Sequence, residues 1–247
     1  MRPTLFYLIF SKISGIIYIE NEKGARDMEL DEIRKRYFET LDCLRNDYPD
    51  FQTFLELRTK SSYWDFYRAN DYDFECNKVS LASGETKIVI IFDDEDWVIK
   101  IPFNFAGVKP SYKYDDFCHI EAKNYKRAVE ENLEKFFAPM YFLGDYEFED
   151  GCCDFSCPIY IMKKIEVNED VNSEYAASNY EGDEDDYDDC DFSGEDGAMI
   201  CLESSWTVDE TINLWDFLCD CNINDVHTGN IGLDRNGKYV ICDYSGY

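Results

Sequence analysis

The chain has 247 residues, with 53 Asp and Glu against 24 Lys and Arg and a formal charge of −29. Its 45% apolar and 17% aromatic content is enough for a sizeable core, which excludes wholesale disorder. Such acidity repels nucleic acid and anionic membranes at long range, so neither is expected as a partner. Eleven cysteines in irregular spacing, without a clean secretory leader, point away from a disulfide framework and toward a reducing cytoplasm.

The first 27 residues stand apart. Thr4 to Ile19 is an apolar run broken by Lys12, short for a membrane span of ~20 residues. Lys23-Gly24-Ala25 can be encoded by a bacterial ribosome-binding sequence at a suitable distance before Met28, so residues 1–27 are read as a leader and Met28 as the start. A helical extension is expected over 28–78. Leu30, Ile33, Tyr37, Leu41 and Leu44 form one apolar stripe. Pro49 allows a second helix with Phe51, Phe54 and Leu55 inside, and a third is expected after Ser61-Ser62.

After Asn77 the texture becomes β-branched, and Val79 to Leu81, Lys87 to Phe92 and Trp97 to Ile101 read as strands. The connection Ala82-Ser83-Gly84-Glu85-Thr86 holds one glycine that lets the backbone approach a ligand closely. Alternation puts Lys100 on the sheet face shared with Val98, where a lysine must reach water or find an anion. A helix is expected over Glu121 to Phe136, ended by Pro139, with Glu121 in its first turn as counter-ion for Lys100. Pro158 to Met162 is a further apolar strand.

No Lys or Arg occurs between Lys164 and Arg235, and Glu166 to Asp196 alone holds fourteen carboxylates. With little apolar periodicity, residues 166–200 read as a solvated, mobile acidic insertion; a role for it in gripping a basic protein is a separate reading. Thr207-Val208-Asp209-Glu210 then matches a helix capping box, followed by an expected stripe of Val208, Ile212, Trp215, Leu218 and Cys219. A polar loop from Asn222 to Asn230 enters a hairpin that turns at Asp234-Arg235-Asn236-Gly237 and leaves through Asp243.

This last segment resembles the catalytic core of the protein-kinase-like fold. Asp225 and Asn230 stand five apart, Asp243 follows after thirteen more, and Asp243-Tyr244-Ser245-Gly246 looks like a variant of D-F-G. The form Asp225-Val226-His227-Thr228-Gly229-Asn230 is closer to the aminoglycoside phosphotransferase and choline kinase branch than to eukaryotic protein kinases. The resemblance spans about Val79 to Gly246.

The resemblance implies an α+β fold: a small antiparallel sheet with one crossing helix over 79–165, the acidic insertion, and an abbreviated second lobe of helix, catalytic loop and β-hairpin over 201–247. It also implies ATP and Mg²⁺ as cofactors and a hydroxyl compound as phosphoryl acceptor. Lys100 would hold the α- and β-phosphates and pair with Glu121. Gly84 would lie above the phosphates, with Ala82 and Lys87 in place of two of the usual glycines. Main-chain groups of Met162, Lys163 and Lys164 would meet adenine, Asn230 and Asp243 would hold the metal, and Asp225 would take the acceptor's proton. The helices that usually complete the larger lobe have no counterpart after Asp243. This implies that the N-terminal helices or a protein partner cover that face, or that the chain is a shortened, weakly active or inactive pseudokinase-like interaction protein.

Overall fold

The structure is a computed structural model and describes residues 30–48, 51, 53, 55, 79–83, 87–92, 95–102, 117–150, 153–182 and 190–245. The readings that concern residues 1–27, the helix after Ser61, the loop holding Gly84 and the acidic run 183–189 lie outside them. The chain divides into two compact units, Met1–Thr53 and Phe54–Tyr247, so the division falls within the stretch 28–78 read as one extension.

In the first unit, helix α1 (30–47) buries Tyr37, Leu41 and Leu44, the expected stripe. In the second, three expected strands form as β1 (Val79–Ser83), β2 (Lys87–Phe92) and β3 (Trp97–Pro102). They join β4 (Met140–Asp150) and β5 (Cys153–Lys163) in an antiparallel sheet of order β1-β2-β3-β5-β4. One face is carried by Ile88, Ile90, Ile99, Ile101 and Ile161, all fully buried, which is what β-branched residues at alternate positions of paired strands do. β4 and most of β5 form a long hairpin with a register shift between Phe142 and Gly144, where Gly144 takes φ 132.

Helix α2 (Phe117–Glu130) starts and stops earlier than the expected 121–136. It ends because Asn132 adopts a left-handed φ of 59 and Leu133 N–H turns back to the Ala128 carbonyl at 2.7 Å. Glu121 therefore sits one turn inside the helix and not at its dipole-favoured start, and its partners below replace that argument.

The acidic stretch 166–200 is not a wholly mobile insertion. It holds α3 (Glu169–Ser178) and the start of α4 (Glu195–Ser205). Asn168 caps α3 by accepting from Val171 N–H at 3.2 Å, and Glu169 and Asp170 oppose the positive end of the helix dipole. Ahead of α4, Asp191 accepts from Ser193 and Gly194 N–H. The buried faces carry Asn172 and Ala176 on one helix and Gly197, Ala198, Cys201 and Leu202 on the other. Small residues let the two helices approach closely while the carboxylates stay in water.

Helix α5 (Val208–Asp220) has the expected capping box between Thr207 and Glu210. Its buried face is Thr211, Leu214, Phe217 and Leu218, so the expected stripe is rotated: Val208 is 66% and Ile212 55% exposed. The terminal hairpin forms as β6 (Ile231–Leu233) and β7 (Tyr239–Ile241), with Asp234 Oδ1 accepting from Asn236 and Lys238 N–H and Gly237 at φ +72. It is tied at both edges: Ala138 N–H donates to the Ile241 carbonyl at 2.8 Å, and Leu233 exchanges bonds with Glu166. Among the described residues, no helix is long and apolar enough to cross a membrane.

Candidate functional site

Strand register brings two lysines to one face of the sheet. Lys100 on β3 lies opposite Val89 on β2, and Lys87 is two residues from Val89, so both side chains leave the sheet on the same side. Each is 5% exposed. A buried ammonium must be paired and hydrogen-bonded, and the partner comes from α2, whose inner stripe is Cys118, Glu121, Asn124, Tyr125 and Ala128. Glu121, fully buried, accepts from Lys100 at 3.1 Å through each carboxylate oxygen and from Lys87 at 2.9 Å.

The end of β7 supplies the other half of the cluster. Lys100 also donates to the Cys242 carbonyl at 2.9 Å, and Lys87 donates to Asp243 Oδ1 at 2.8 Å. Two ammonium groups thus face two carboxylates, and the four charges balance. Burial alone would push the Asp243 carboxyl up, but the Lys87 and Lys100 charges outweigh it and hold the group well below its ordinary range. Burial pushes the Glu121 carboxyl upward, with Lys100 and Lys87 pulling the other way. Burial opposes the Lys87 charge, yet Glu121 and Asp243 raise its pKa far above the usual lysine value. Burial also pushes the Cys242 thiol up to about 12, against the pull of Lys100.

Asp243 is held in place through its neighbour. Tyr244 is fully buried, its hydroxyl donates to the Ala138 carbonyl at 2.6 Å, and its ring meets the edge of Phe137 at 5.1 Å between centroids. Asn124, one turn along α2 from Glu121, donates to the Tyr244 carbonyl at 2.8 Å. One helix therefore fixes both the lysine counter-ion and the backbone beyond Asp243.

The loop before the hairpin is braced in the same manner. Asn230 donates from its side-chain amide to the Asp225 carbonyl at 2.7 Å, and its own carbonyl accepts from Cys242 N–H at 2.8 Å. This ladder links positions 225, 230 and 242, so that Asp225, Asn230 and Asp243 are joined through the loop and the hairpin. His227 Nδ1 accepts from Gly229 N–H at 3.1 Å, and its Nε2 lies 4.0 Å from Asp225 Oδ1. Asn172 of α3, 3% exposed, donates to the carbonyls of Thr228 and Ile231 at 2.9 and 3.1 Å. The Thr228 hydroxyl donates to the Ser193 carbonyl at 2.8 Å. The acidic stretch is thus the support of this loop.

Of the expected site residues, Lys100, Glu121 and Asp243 converge, and Asn230 and Asp225 are tied to them through the backbone. Gly84 lies outside the described residues. The main-chain groups of Met162, Lys163 and Lys164, expected to meet adenine, lie at the end of β5 and just beyond it. Lys163 N–H donates to the Pro139 carbonyl and Lys164 N–H to the Asp96 carbonyl, both at 2.8 Å. Pairing of β5 continues through Lys163, opposite Trp97, so these two amides are already used, and Met162 is buried between Val98 and Met140. Sequence reasoning gave no role to Lys87, Asn124 or Asn172. Lys87 was readable from the same alternation that singled out Lys100; the two asparagines carried no signal beyond helical spacing from Glu121 and Ala176.

The donors at Asn230 and Asp243 are an amide oxygen and a carboxylate, the hard oxygen set that Mg²⁺ takes when water and phosphate complete its coordination. Among the described residues, no group of three or more His, Cys, Asp or Glu is placed to hold a metal alone.

No protein-family model matches the chain, and no curated protein does. A solved structure described as the co-crystal structure of WbdD and kinase inhibitor LY294002 is similar to 71% of this chain, at 13% identity and a TM-score of 0.34. The chain spans only 34% of that protein's length. A likeness this distant fixes neither fold family nor activity.

Proposed function

We propose that this chain is a kinase-like phosphotransferase that uses ATP and Mg²⁺ and acts on a hydroxyl acceptor in the cytoplasm. The observation that carries the reading is the Lys100 bridge: one buried ammonium holds both oxygens of Glu121 and the carbonyl next to Asp243. Such a bridge joins sheet, helix and hairpin at one point, where a triphosphate needs positive charge and a metal-facing carboxylate together.

In this reading Lys100 binds the α- and β-phosphate oxygens while Glu121 fixes its amine in position. Asn230 and Asp243 would hold Mg²⁺, which when bound screens the triphosphate charge. Asn230 keeps its amide nitrogen on the Asp225 carbonyl, which leaves the amide oxygen for the cation. Asp225 orients the acceptor hydroxyl and takes its proton, with the loop held by Asn172 and Thr228. Rate enhancement comes from positioning and charge stabilisation.

A second reading, a pseudokinase-like interaction protein, is favoured by the Lys87 bond to Asp243, which occupies the metal-facing carboxylate. Consumption of ATP with a panel of hydroxyl acceptors, aminoglycosides and choline included, separates the two. The enzyme reading expects turnover in the wild type and its loss in Asp225→Asn with ATP binding retained. Binding of ATP with no turnover for any acceptor would favour the second reading.

A further inference from the structure

Lys87 lies within the site but outside the roles assigned above. Its ammonium lies 2.8 Å from Asp243 Oδ1 and 2.9 Å from Glu121 Oε1, and it is buried to 5% exposure. Lys100 bonds both oxygens of Glu121 and holds the Cys242 carbonyl, so Glu121 has a counter-charge even without Lys87. The distinctive contact of Lys87 is therefore the one to Asp243. Ser245 Oγ, the other group on the same Oδ1 atom, lies farther away at 3.3 Å and is uncharged.

We infer that Lys87 is a tethered cation seated at the metal-facing oxygen of Asp243, which makes the site select metal carried by a polyphosphate over free divalent metal. The inference rests on the nucleotide site proposed above. A free divalent ion arriving at Asp243, whose side chain is 35% exposed, meets a buried ammonium already bound to its ligand, and like charges at such a separation repel. A metal that arrives on a triphosphate brings several anionic oxygens, to which Lys87 can transfer as it leaves Asp243. The four charges balance in the free protein; removing the Lys87 charge leaves two carboxylates facing one lysine, a net negative pocket with hard oxygen donors.

The test is a calorimetric titration of Mn²⁺ into the full chain without nucleotide, for wild type, Lys87→Met and Lys87→Met/Asp243→Ala, alongside a thermal melt of each. Lys87→Met is expected to bind Mn²⁺ at least tenfold more tightly than wild type, and the gain is expected to vanish in the double variant. Lys87→Gln, which keeps a neutral donor on a chain one bond shorter, is titrated as well, so that a folding defect in Lys87→Met does not decide the matter; the same gain is expected. Affinity for Mn²⁺ unchanged or lower in whichever of the two neutral variants folds overturns the inference. A parallel titration with ATP and Mg²⁺ separates the two ideas: ATP binding without the Mn²⁺ gain rejects the tethered cation and keeps the nucleotide site, whereas the Mn²⁺ gain without ATP binding leaves Lys87 as a block to free metal but overturns the selection for metal carried on a polyphosphate, together with the nucleotide site.

Discussion

Replacing Glu121 by Gln removes one negative charge from the centre of the buried cluster while keeping shape and one acceptor oxygen. In the wild type this carboxylate takes bonds of 2.9 Å from Lys87 and 3.1 Å from Lys100 at each oxygen, at zero exposure. In the variant Asp243 and the Cys242 carbonyl remain as partners, so two buried ammonium groups share one carboxylate. Removing one member of a buried ionic network typically costs about 3–5 kcal/mol, and the retained acceptor places this case near about 3. For a chain of this size that corresponds to a melting temperature lower by about 6–12 °C. Melting followed by far-ultraviolet circular dichroism, with urea titration at unchanged m, measures it. Adding Lys100→Met should restore part of the loss, with a coupling of about 1–3 kcal/mol. A drop under about 2 °C for Glu121→Gln, or strictly additive effects in the double variant, would refute the idea of a desolvated, mutually dependent cluster.

Three further outcomes are expected. Tyr244→Phe deletes the hydroxyl that donates to the Ala138 carbonyl at 2.6 Å, leaving a buried acceptor unpaired, and should cost about 1–3 kcal/mol in a urea titration. Asn172→Ala removes both bonds to the loop carbonyls of Thr228 and Ile231; a loss of about 1–3 kcal/mol, with faster hydrogen exchange at Gly229 and Asn230, would show that α3 supports the loop. Glu210 is held at about 2, below its ordinary 4.5, by its bond from Lys135 and by Thr207 at the start of α5. Its folded value is the lower one, so the stability it contributes is present above pH 4.5 and is lost as pH falls toward 2. Glu210→Gln should therefore flatten the acid limb of the stability profile in that window; an unchanged limb would remove Glu210 from its cause.

The parts of the fold legible in the sequence are those where one local rule dominates. The three N-terminal strands follow from β-branched runs, the terminal hairpin from Asn236-Gly237, and the start of α5 from Thr207 and Glu210. Lys100 and Glu121 could be paired because a lone lysine in an apolar strand demands an anion. The misses have physical causes. α3 and α4 bury Ala176 and Ala198, and Gly197 lies against the Phe192 carbonyl; residues this small draw no apolar stripe, and many carboxylates around them read as a solvated coil. β4 does show alternation, with Tyr146 and Phe148 buried and Glu147 exposed, but its acidic outward face masks the pattern. The buried face of α5 is rotated from the Val208 and Ile212 stripe, with Thr211 and Leu214 inside, because position on the helix and not hydrophobicity alone decides which side meets the core. Lys87 stands where the family pattern has a glycine, so the motif alone gives it no role, although alternation places it on the Lys100 face.

The central claim is that Lys100 and Asp243 together form a metal–nucleotide site, and a thermal shift with ATP and Mg²⁺ tests it most directly. At a hundredfold excess of ligand over Kd the wild type should gain about 2.7 kcal/mol, or about 5–11 °C. Lys100→Met and Asp243→Asn, each referred to its own ligand-free melt, should gain little. No shift in the wild type at millimolar nucleotide, or an equal shift in all three proteins, would contradict the claim.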